Sequence, residues 1–305
     1  MLDVALLGCG GMMPLPNRYL TSLCLRANGS MLLIDAGEGT QVSMKMLGWG
    51  FKNIDAICFT HFHADHISGL PGLLLTIGNS CRTETLTLIG PAGLSRIVQS
   101  LMVIAPELPF PIEIIELRQN KGQTLDICGM RLSAFPMIHR VKCLGYSMYL
   151  PRAGKFNVER AHELGVPVSL WSRLQQGESF EYRGNFYTPE MVIGKERKGI
   201  RVSYCTDSRP PIGLDEFVKD SDLFVCEGIY GENDKLQKAK EYRHMIFREA
   251  AAIAKAGQVK ELWLTHFSPA LIQPKDFLKN ATNIFPNTII GEDRMTKMLT
   301  FEEEQ

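Results

Sequence analysis

Short apolar runs alternate with segments of helical period along the first half of the chain. The runs are rich in Val, Ile, Leu and Phe, and turn-forming residues separate them, which is typical of buried strands. The segments between them space apolar residues three and four apart, as amphipathic helices do. The predicted strands are VALLG, SLCLRA, MLLIDAG, IDAICFT, TLTLIG and FPIEIIEL, and the predicted helices are EGTQVSMKML, HISGLPGLLLTIG and PAGLSRIVQSLMV.

A second series of strands and helices follows residue 200. RVSYCTD, SDLFVCEG and KELWLTHFS predict strands, and RHMIFREAAAIAKAG predicts a helix. Because strands and helices are predicted in both halves of the chain, the sequence predicts a layered α/β domain. Residues 151–200 differ, since they are rich in Gly, Pro and charged residues, with a hairpin predicted around Arg183-Gly184-Asn185. We therefore expect one domain from residues 1–150 and 201–305, and an inserted subdomain from residues 151–200.

Charge, cysteine content and hydrophobicity indicate the cellular compartment in which the protein works. Lys and Arg number 33, as do Asp and Glu, so the net charge indicates no polyanionic partner, although local basic clusters decide phosphate affinity. The eight cysteines include no CxxC pair, which predicts free thiols in a reducing compartment. The amino terminus lacks the basic region of a signal peptide, and HISGLPGLLLTIGNSC is too short to span a bilayer. We expect a cytoplasmic protein that does not enter a membrane.

The stretch THFHADHISGLPGL, residues 60–73, concentrates potential metal ligands just after a predicted strand. Alternate side chains of an extended segment share a face, so His61 and His63 can approach one cation together. Asp65 and His66, at the next turn, are then free to bind a second cation. Imidazole and carboxylate ligands without a thiolate favour zinc, manganese or iron over calcium.

Three further candidate ligands lie at the ends of other predicted strands. His139 ends the apolar run MRLSAFPMIHR, Asp207 ends RVSYCTD, and His266 ends the apolar run LWLTH. Because α/β proteins place their sites at the carboxyl ends of strands, these residues are expected to complete the ligand sets. Each alone is equally well explained as a buried histidine or a turn residue, so the hypothesis depends on the cluster. His162, in the helical run VERAHELG, is interpreted as a surface residue.

Motifs along nearly the whole chain carry a resemblance to a known family. In chain order they are LGCGGMMPLPNRYLTSLCLR, LLIDAGEGTQ, THFHADHISGLPGLL, GPAGL, the isolated His139, TDSRP, CEGIY and HMIFREAAAIAKAG followed by LWLTHFSP. On these motifs the sequence resembles the metallo-β-lactamase superfamily and, within it, the short form of the ribonuclease Z family. The resemblance implies a four-layered αββα sandwich. It also implies a zinc-dependent endoribonuclease that hydrolyses precursor tRNA after the discriminator nucleotide, removing the 3′ trailer and leaving a 3′ hydroxyl.

The resemblance further implies two zinc ions per subunit, with manganese as an alternative. A metal pair suits phosphodiester hydrolysis because it activates water and stabilises the attacking and leaving oxygens. By this resemblance His61, His63 and His139 would hold one ion, Asp65, His66 and His266 would hold the other, and Asp207 would bridge the two.

Catalytic roles also follow from the resemblance. Asp65 would position or deprotonate the nucleophile. His244, at the start of a predicted helix, would protonate the leaving 3′ oxygen, and Glu227 would orient its imidazole.

The inserted segment 151–200 would be the arm, or exosite, with which the family grips the elbow of tRNA. Residues 151–209 carry ten Lys and Arg against seven Asp and Glu. This excess suffices for recognition of folded RNA by shape and backbone, although a solvated loop can have the same composition. The resemblance also implies a homodimer in which one subunit's arm reaches tRNA held by the other. The densest basic positions are Lys195, Arg197, Lys198 and Arg201.

Three departures from the family pattern leave alternatives open. Gly194-Lys195 stands where many relatives have Gly-Pro, Met245-Ile246 where small polar residues are usual, and Ala270-Leu271 where Arg-Tyr is frequent. These departures motivate a second hypothesis, a general metal-dependent phosphodiesterase acting on small or cyclic substrates. A third hypothesis, a non-catalytic RNA-binding protein with structural metals, gives Glu227 and His244 no purpose.

Overall fold

Two seven-stranded sheets form the framework of the molecule. The structure is a computed structural model and describes residues 1–118 and 123–302. The first sheet contains β1 (Leu2–Gly8), β2 (Ser22–Ala27), β3 (Ser30–Ile34), β4 (Ile54–Cys58), β5 (Leu86–Pro91), β6 (Ile112–Leu117) and β16 (Met295–Leu299). Its order is β16-β1-β2-β3-β4-β5-β6. The pairs from β16 to β3 are antiparallel, and β3 to β6 run parallel.

The second sheet aligns the strand ends that matter for the site. It contains β7 (Gln123–Ile127), β8 (Met130–Pro136), β9 (Leu144–Arg152), β12 (Arg197–Cys205), β13 (Leu223–Glu227), β14 (Leu262–Thr265) and β15 (Thr288–Ile290). Its order is β15-β14-β13-β12-β9-β8-β7. Because β12 to β15 run parallel, their carboxyl ends lie at one edge of the sheet.

Helices cover both sheets and complete a helix–sheet–sheet–helix arrangement. Along the described residues the helices are α1 (Thr40–Leu47), α2 (Ala64–Ile67), α3 (Leu70–Gly78), α4 (Leu94–Leu101), α5 (Val158–Glu163), α6 (Trp171–Gln175), α7 (Leu214–Phe217), α8 (Leu236–Tyr242), α9 (Phe247–Ala256) and α10 (Lys279–Thr282). Helices α1 and α4 pack on the first sheet, and α9, flanked by α7 and α10, packs on the second. The sheets meet where the Tyr146 hydroxyl donates to the Phe59 carbonyl, 2.6 Å apart. The predicted α/β sandwich is therefore confirmed.

The predicted helix HISGLPGLLLTIG is wrong as a single element, because it is divided into α2 and α3 at Ser68 and Gly69. The Gly69 N–H donates to the Ala36 carbonyl at 3.0 Å. A Cβ at Gly69 would lie only 2.1 Å from the Gly37 carbonyl oxygen. Glycine thus permits the close approach at which the helix breaks.

The predicted start of the helix at His244 is also wrong, since α9 begins at Phe247 and His244 lies in the connection after α8. The Phe247 N–H donates to the Tyr230 carbonyl at 3.1 Å, and the Ile246 N–H donates to the Glu249 carboxylate at 3.1 Å. The residues before Phe247 therefore pair with the segment after β13 instead of extending the helix. Glu249 satisfies one of the free N–H groups at the helix start.

The chain forms two compact units. The larger comprises Met1–Tyr149 and Arg201–Thr300, and the smaller comprises Leu150–Ile200 with residues 301 and 302. The predicted domain limits, 1–150 and 201–305, include residues 119–122 and 303–305, which lie outside the described ranges. None of the helices in the described ranges is both long enough and apolar enough to cross a lipid bilayer.

The smaller unit contains α5, α6 and the predicted hairpin, formed by β10 (Phe180–Tyr182) and β11 (Asn185–Tyr187). Arg183 and Gly184 both have positive φ, 51° and 80°, as a two-residue hairpin turn with the right twist requires. The unit has its own apolar cluster, built around Ala161, Val166, Leu174, Phe180, Tyr187 and Val192.

Candidate metal centre

Strand ends from both sheets bring the predicted site residues together. The loop after β4 carries His61, His63, Asp65 and His66, β8 precedes His139, β12 precedes Asp207, β13 ends at Glu227, and β14 precedes His266. Asp207 and His266 turn away from their strands with φ of 51° and 58°. Residues other than glycine adopt this conformation rarely, although Asp and His do so more readily than most.

One group of potential ligands contains three histidines and one carboxylate. The Nε2 atom of His61 lies 3.0 Å from Nδ1 of His63, which is 3.4 Å from Nε2 of His139. Oδ1 of Asp207 lies 3.9 Å from the Nε2 atoms of both His61 and His139. Four donor atoms of the kinds that bind divalent cations therefore face one another.

A second group faces the other oxygen of the same carboxylate. Oδ2 of Asp207 lies 3.1 Å from Nε2 of His66 and 3.2 Å from Nε2 of His266. Those two nitrogens are 3.2 Å apart, and Oδ2 of Asp65 lies 3.5 and 3.4 Å from them. Asp207 thus directs one oxygen toward each group.

These distances fit metal coordination. Ligand atoms 2.0–2.1 Å from a tetrahedral zinc ion are separated by about 3.3 Å, close to the separations within each group. Burial holds the pKa of His61 well below its usual range and lowers the pKa of His139 to about 4. Both imidazoles are therefore neutral at pH 7, which is the state that binds metal.

The carboxylates in and behind the second group favour a positive charge in the site. Burial lowers the pKa of His66, but the Asp207 and Asp35 carboxylates outweigh it and raise that pKa well above its usual value. Burial raises the pKa of Asp207, yet the neighbouring His266, His66 and His61 hold it well below its usual range. A carboxylate that stays ionised in a buried site requires a compensating cation.

Asp35 and Thr60 orient two of the histidines from behind. Oδ2 of Asp35 accepts a hydrogen bond from Nδ1 of His66 at 2.8 Å, which directs Nε2 toward Asp207. The Thr60 hydroxyl donates to Asp35 at 2.8 Å and lies 3.1 Å from Nδ1 of His61. Carboxylates behind metal-binding histidines commonly fix the ring orientation in this way.

The loop after β1 closes over Asp65. The Met12 backbone N–H donates to Oδ2 of Asp65 at 2.7 Å. A Cβ on Gly11 would lie 2.6 Å from the His266 ring, and one on Gly37 would lie 2.2 Å from the Asp65 carbonyl oxygen. Glycine at both positions leaves room for the backbone to pack directly on the site.

Glu227 and His244 form a buried pair beside the two groups. Oε2 of Glu227 lies 2.9 Å from Nδ1 of His244, and the Ser208 N–H donates to Oε1 of Glu227. Burial lowers the pKa of His244, but Glu227 outweighs it and raises that pKa to about 9. Since Nδ1 is occupied, Nε2 is the atom through which a protonated His244 can donate.

The structure thus gathers all nine residues predicted for the site. His162 lies apart from them in α5, where its ring contacts Trp171. Four further residues contact the site without having been predicted from the sequence: Met12, Asp35, Thr60 and Ser208. Asp35 offered a signal, since an acidic residue ends the apolar strand MLLID just as Asp207 ends RVSYCTD.

The chain is similar to curated proteins over its whole length. It is 58% identical to "Ribonuclease Z" of Lachnospira eligens over 304 residues, covering 100% of both chains. It is 55% identical to "Ribonuclease Z" of Clostridium kluyveri, covering 99% of this chain and 100% of that one. A family model described as "Anti-Pycsar protein Apyc1" matches residues 2–103, less than half of the chain.

Solved structures share the fold. The crystal structure of human tRNase Z, short form, has a TM-score of 0.70 at 24% identity and covers 98% of this chain and 100% of its own. The metallo-β-lactamase fold protein YhfI of Bacillus subtilis has a TM-score of 0.72 at 19% identity and covers 97% and 98%. At such identities the similarity shows the fold alone.

The two sheets and their helices place the chain in the metallo-β-lactamase fold class. In this fold the cluster of histidines and aspartates suits a divalent metal ion. The full-length curated relatives define the narrower group: the chain belongs to the ribonuclease Z family.

Proposed function

We propose that this protein is a zinc-dependent endoribonuclease that removes the 3′ trailer from precursor tRNA. It cuts after the discriminator nucleotide and leaves a 3′ hydroxyl. The observation that carries the proposal is the convergence of nine predicted site residues in a chain 58% identical to a full-length ribonuclease Z.

The ligand geometry supports two ions per subunit, zinc or alternatively manganese. His61, His63 and His139 would hold one ion, Asp65, His66 and His266 the other, and Asp207 both. When bound, such ions lower the pKa of water and stabilise the charge that develops on a reacting phosphodiester.

The remaining steps belong to side chains of this protein. Asp65 is held by the Met12 N–H and accepts the proton of the attacking water at a carboxylate oxygen. As the bond between phosphorus and the 3′ oxygen breaks, His244 donates the proton on Nε2 to that oxygen. Glu227 keeps His244 protonated and fixes its ring through Nδ1.

The smaller unit is the proposed arm, which would bind the elbow of tRNA. Its apolar cluster makes it a folded element, so it can present basic side chains in a fixed arrangement. Lys195 is exposed, whereas Lys198 forms an ion pair with Glu302 at 3.2 Å and Arg197 donates to the Ala153 carbonyl. Fixed basic groups of this kind suit recognition of RNA shape and backbone.

Two further features of the family are proposed for this chain. One is a homodimer in which one subunit's arm serves the site of the other, and the second is a cytoplasmic location. Light scattering of the purified protein would measure the oligomeric state directly.

Replacing the proposed base tests the assignment. Asp65→Ala is expected to abolish cleavage of a 3′-extended tRNA precursor while the affinity for that RNA stays within about twofold, since Asp65 acts in the chemical step. Asp215→Ala, at an exposed position in α7, is the matched control. Cleavage that survived the loss of Asp65 would contradict the proposed role.

The general phosphodiesterase hypothesis is not favoured, because the relatives from Lachnospira eligens and Clostridium kluyveri, which align over the full chain, are both named ribonuclease Z. The non-catalytic hypothesis predicts that the protein binds RNA but does not cleave it with any metal supplied. Cleavage of the 3′-extended tRNA precursor by the unmodified protein would therefore exclude this hypothesis.

A further inference from the structure

Arg209 makes an unusual set of contacts two residues after Asp207. Its guanidinium donates through Nη1 to the backbone carbonyl of His244. The same group forms a forked ion pair with both carboxylate oxygens of Glu249, with Nη1 2.9 Å from Oε2. Both side chains are largely buried, being 17% and 19% exposed, so this pair is stronger than a surface ion pair.

Glu249 extends this link to the residues that follow His244. Its Oε2 accepts the Ile246 N–H at 3.1 Å. The backbone N–H of Arg209 donates to the Ile138 carbonyl at 3.0 Å, next to His139. Arg209 and Glu249 therefore tie the carbonyl of His244 and the residues that follow it to the loops that carry two predicted metal ligands.

The backbone of His244 has different partners on its two sides. Its N–H donates to the Ala239 carbonyl of α8 at 2.8 Å, whereas its carbonyl accepts from Arg209. His244 lies between α8 and α9, directly after Arg243, whose φ is +62°. Glu227 fixes the direction of the imidazole through Nδ1, but that contact does not fix the backbone. A general acid must come within hydrogen-bond reach of the atom that it protonates, and a displacement of about 1 Å can cost about 100-fold in rate.

We infer that Arg209 and Glu249 are a positioning pair that holds the backbone of His244, and thereby its proton, at the leaving oxygen. This inference rests on the proposed function, because it assigns the pair to the general-acid step. In that step water forms the new bond to phosphorus, the bond to the leaving oxygen breaks, and His244 supplies the proton that this oxygen gains.

The leaving group provides a test that does not depend on RNA. Aryl phosphodiesters with a nitrophenyl leaving group need no proton donor, whereas unsubstituted phenyl esters do. For Arg209→Lys, which keeps the charge but lacks the fork, we expect kcat to fall about 30-fold on the phenyl ester and less than about threefold on the nitrophenyl ester. KM should stay within about twofold for both. Glu249→Gln should show the same pattern, and Arg248→Lys, at the exposed neighbouring position, should change neither rate.

Measurements besides activity separate this role from general damage. Metal content and Tm should match those of the unmodified protein, while hydrogen exchange at the Ile246 amide should accelerate. Adding Arg209→Lys to His244→Ala should cause no further loss, since both changes remove one contribution. Equal losses on both esters, a loss of metal, or no loss on either ester would each overturn the inference.

The proposed function is tested separately in the same preparation. If the unmodified protein hydrolyses the esters but leaves a 3′-extended tRNA precursor intact, the proposed function fails. The dependence on the leaving group still decides whether the pair positions His244.

Discussion

The candidate metal centre is largely buried and its donor atoms lie 3.0–3.9 Å apart, whereas the basic residues of the smaller unit are mostly at the surface. In the metal centre buried carboxylates orient two of the rings, Asp35 behind His66 and Glu227 behind His244. Nδ1 of His139 and Nδ1 of His266 are buried without a hydrogen-bond partner among the described residues. In the smaller unit the ion pairs lie at the surface: Arg160 pairs with Glu163, Arg173 with Glu178 and Lys198 with Glu302.

This difference explains why more specific conclusions can be drawn about the metal centre than about the smaller unit. Metal chemistry demands particular atoms at fixed separations, so residue identity and geometry together define the centre. Recognition of RNA by shape and charge tolerates many arrangements of Lys and Arg. The net charge of residues 151–209 also overstates the positive charge that this segment can present to RNA. Glu302, which lies outside the segment, partly neutralises Lys198.

The largest effect is expected from Asp207→Asn. The change keeps the shape of the side chain but removes the charge that faces His66, His266 and His61. Cleavage should fall by more than about 100-fold, because residues that only orient metal ligands already contribute up to about 100-fold. Metal content after dialysis should fall as well, and Asp215→Asn should change neither. Full metal content in Asp207→Asn would break the comparison, because the centre would then not depend on its shared carboxylate.

The next effect separates the two regions. The Asn157 N–H donates to the Val192 carbonyl at 2.7 Å, so two glycines can replace residues 158–191 and close the chain as a hairpin turn. Turnover of a nitrophenyl phosphodiester should stay within about twofold, while kcat/KM for precursor tRNA should fall about 100-fold or more through the loss of a second binding contact. An armless protein of unchanged Tm that still cleaved precursor tRNA normally would contradict the role of the arm.

The smallest effect concerns pH. Glu227 raises the pKa of His244 to about 9, so the proton donor is present below that pH and is lost as pH rises through it. Glu227→Gln removes the raising charge, and burial then lowers the pKa. The alkaline limb of kcat/KM should therefore move to lower pH, with a loss of about tenfold at pH 8. Glu241→Gln, at an exposed position, is the control, and an unmoved alkaline limb would exclude His244 as the acid.

The sequence predicted the parts of the structure that local patterns encode. Period and turn residues located β4, β12, β13 and β14, and therefore the strand ends where His61, Asp207 and His266 lie. The edge strand β15 escaped prediction because it has only three residues. The edge strand β16 escaped prediction because it pairs with β1 across nearly the whole chain. Such pairing is decided by tertiary structure rather than by local propensity.

The same limit applies to the site. Four candidate ligands within six residues are visible in the sequence, but the contact of Thr60 with Asp35, or of Arg209 with Glu249, exists only once the chain is folded. The predicted start of α9 at His244 was wrong for a related reason. The helical period of the sequence continues through His244, but the pairing of Phe247 with Tyr230 prevents a helix there.

The most direct test of the account is a zinc titration of chelator-treated protein, followed by cleavage of a 3′-extended tRNA precursor and mapping of the ends. The account predicts no cleavage without metal, a rise in activity that is complete at two zinc ions per chain, and a single cut after the discriminator nucleotide that leaves a 3′ hydroxyl. Full cleavage in the presence of chelator, or intact precursor at every zinc concentration, would contradict it.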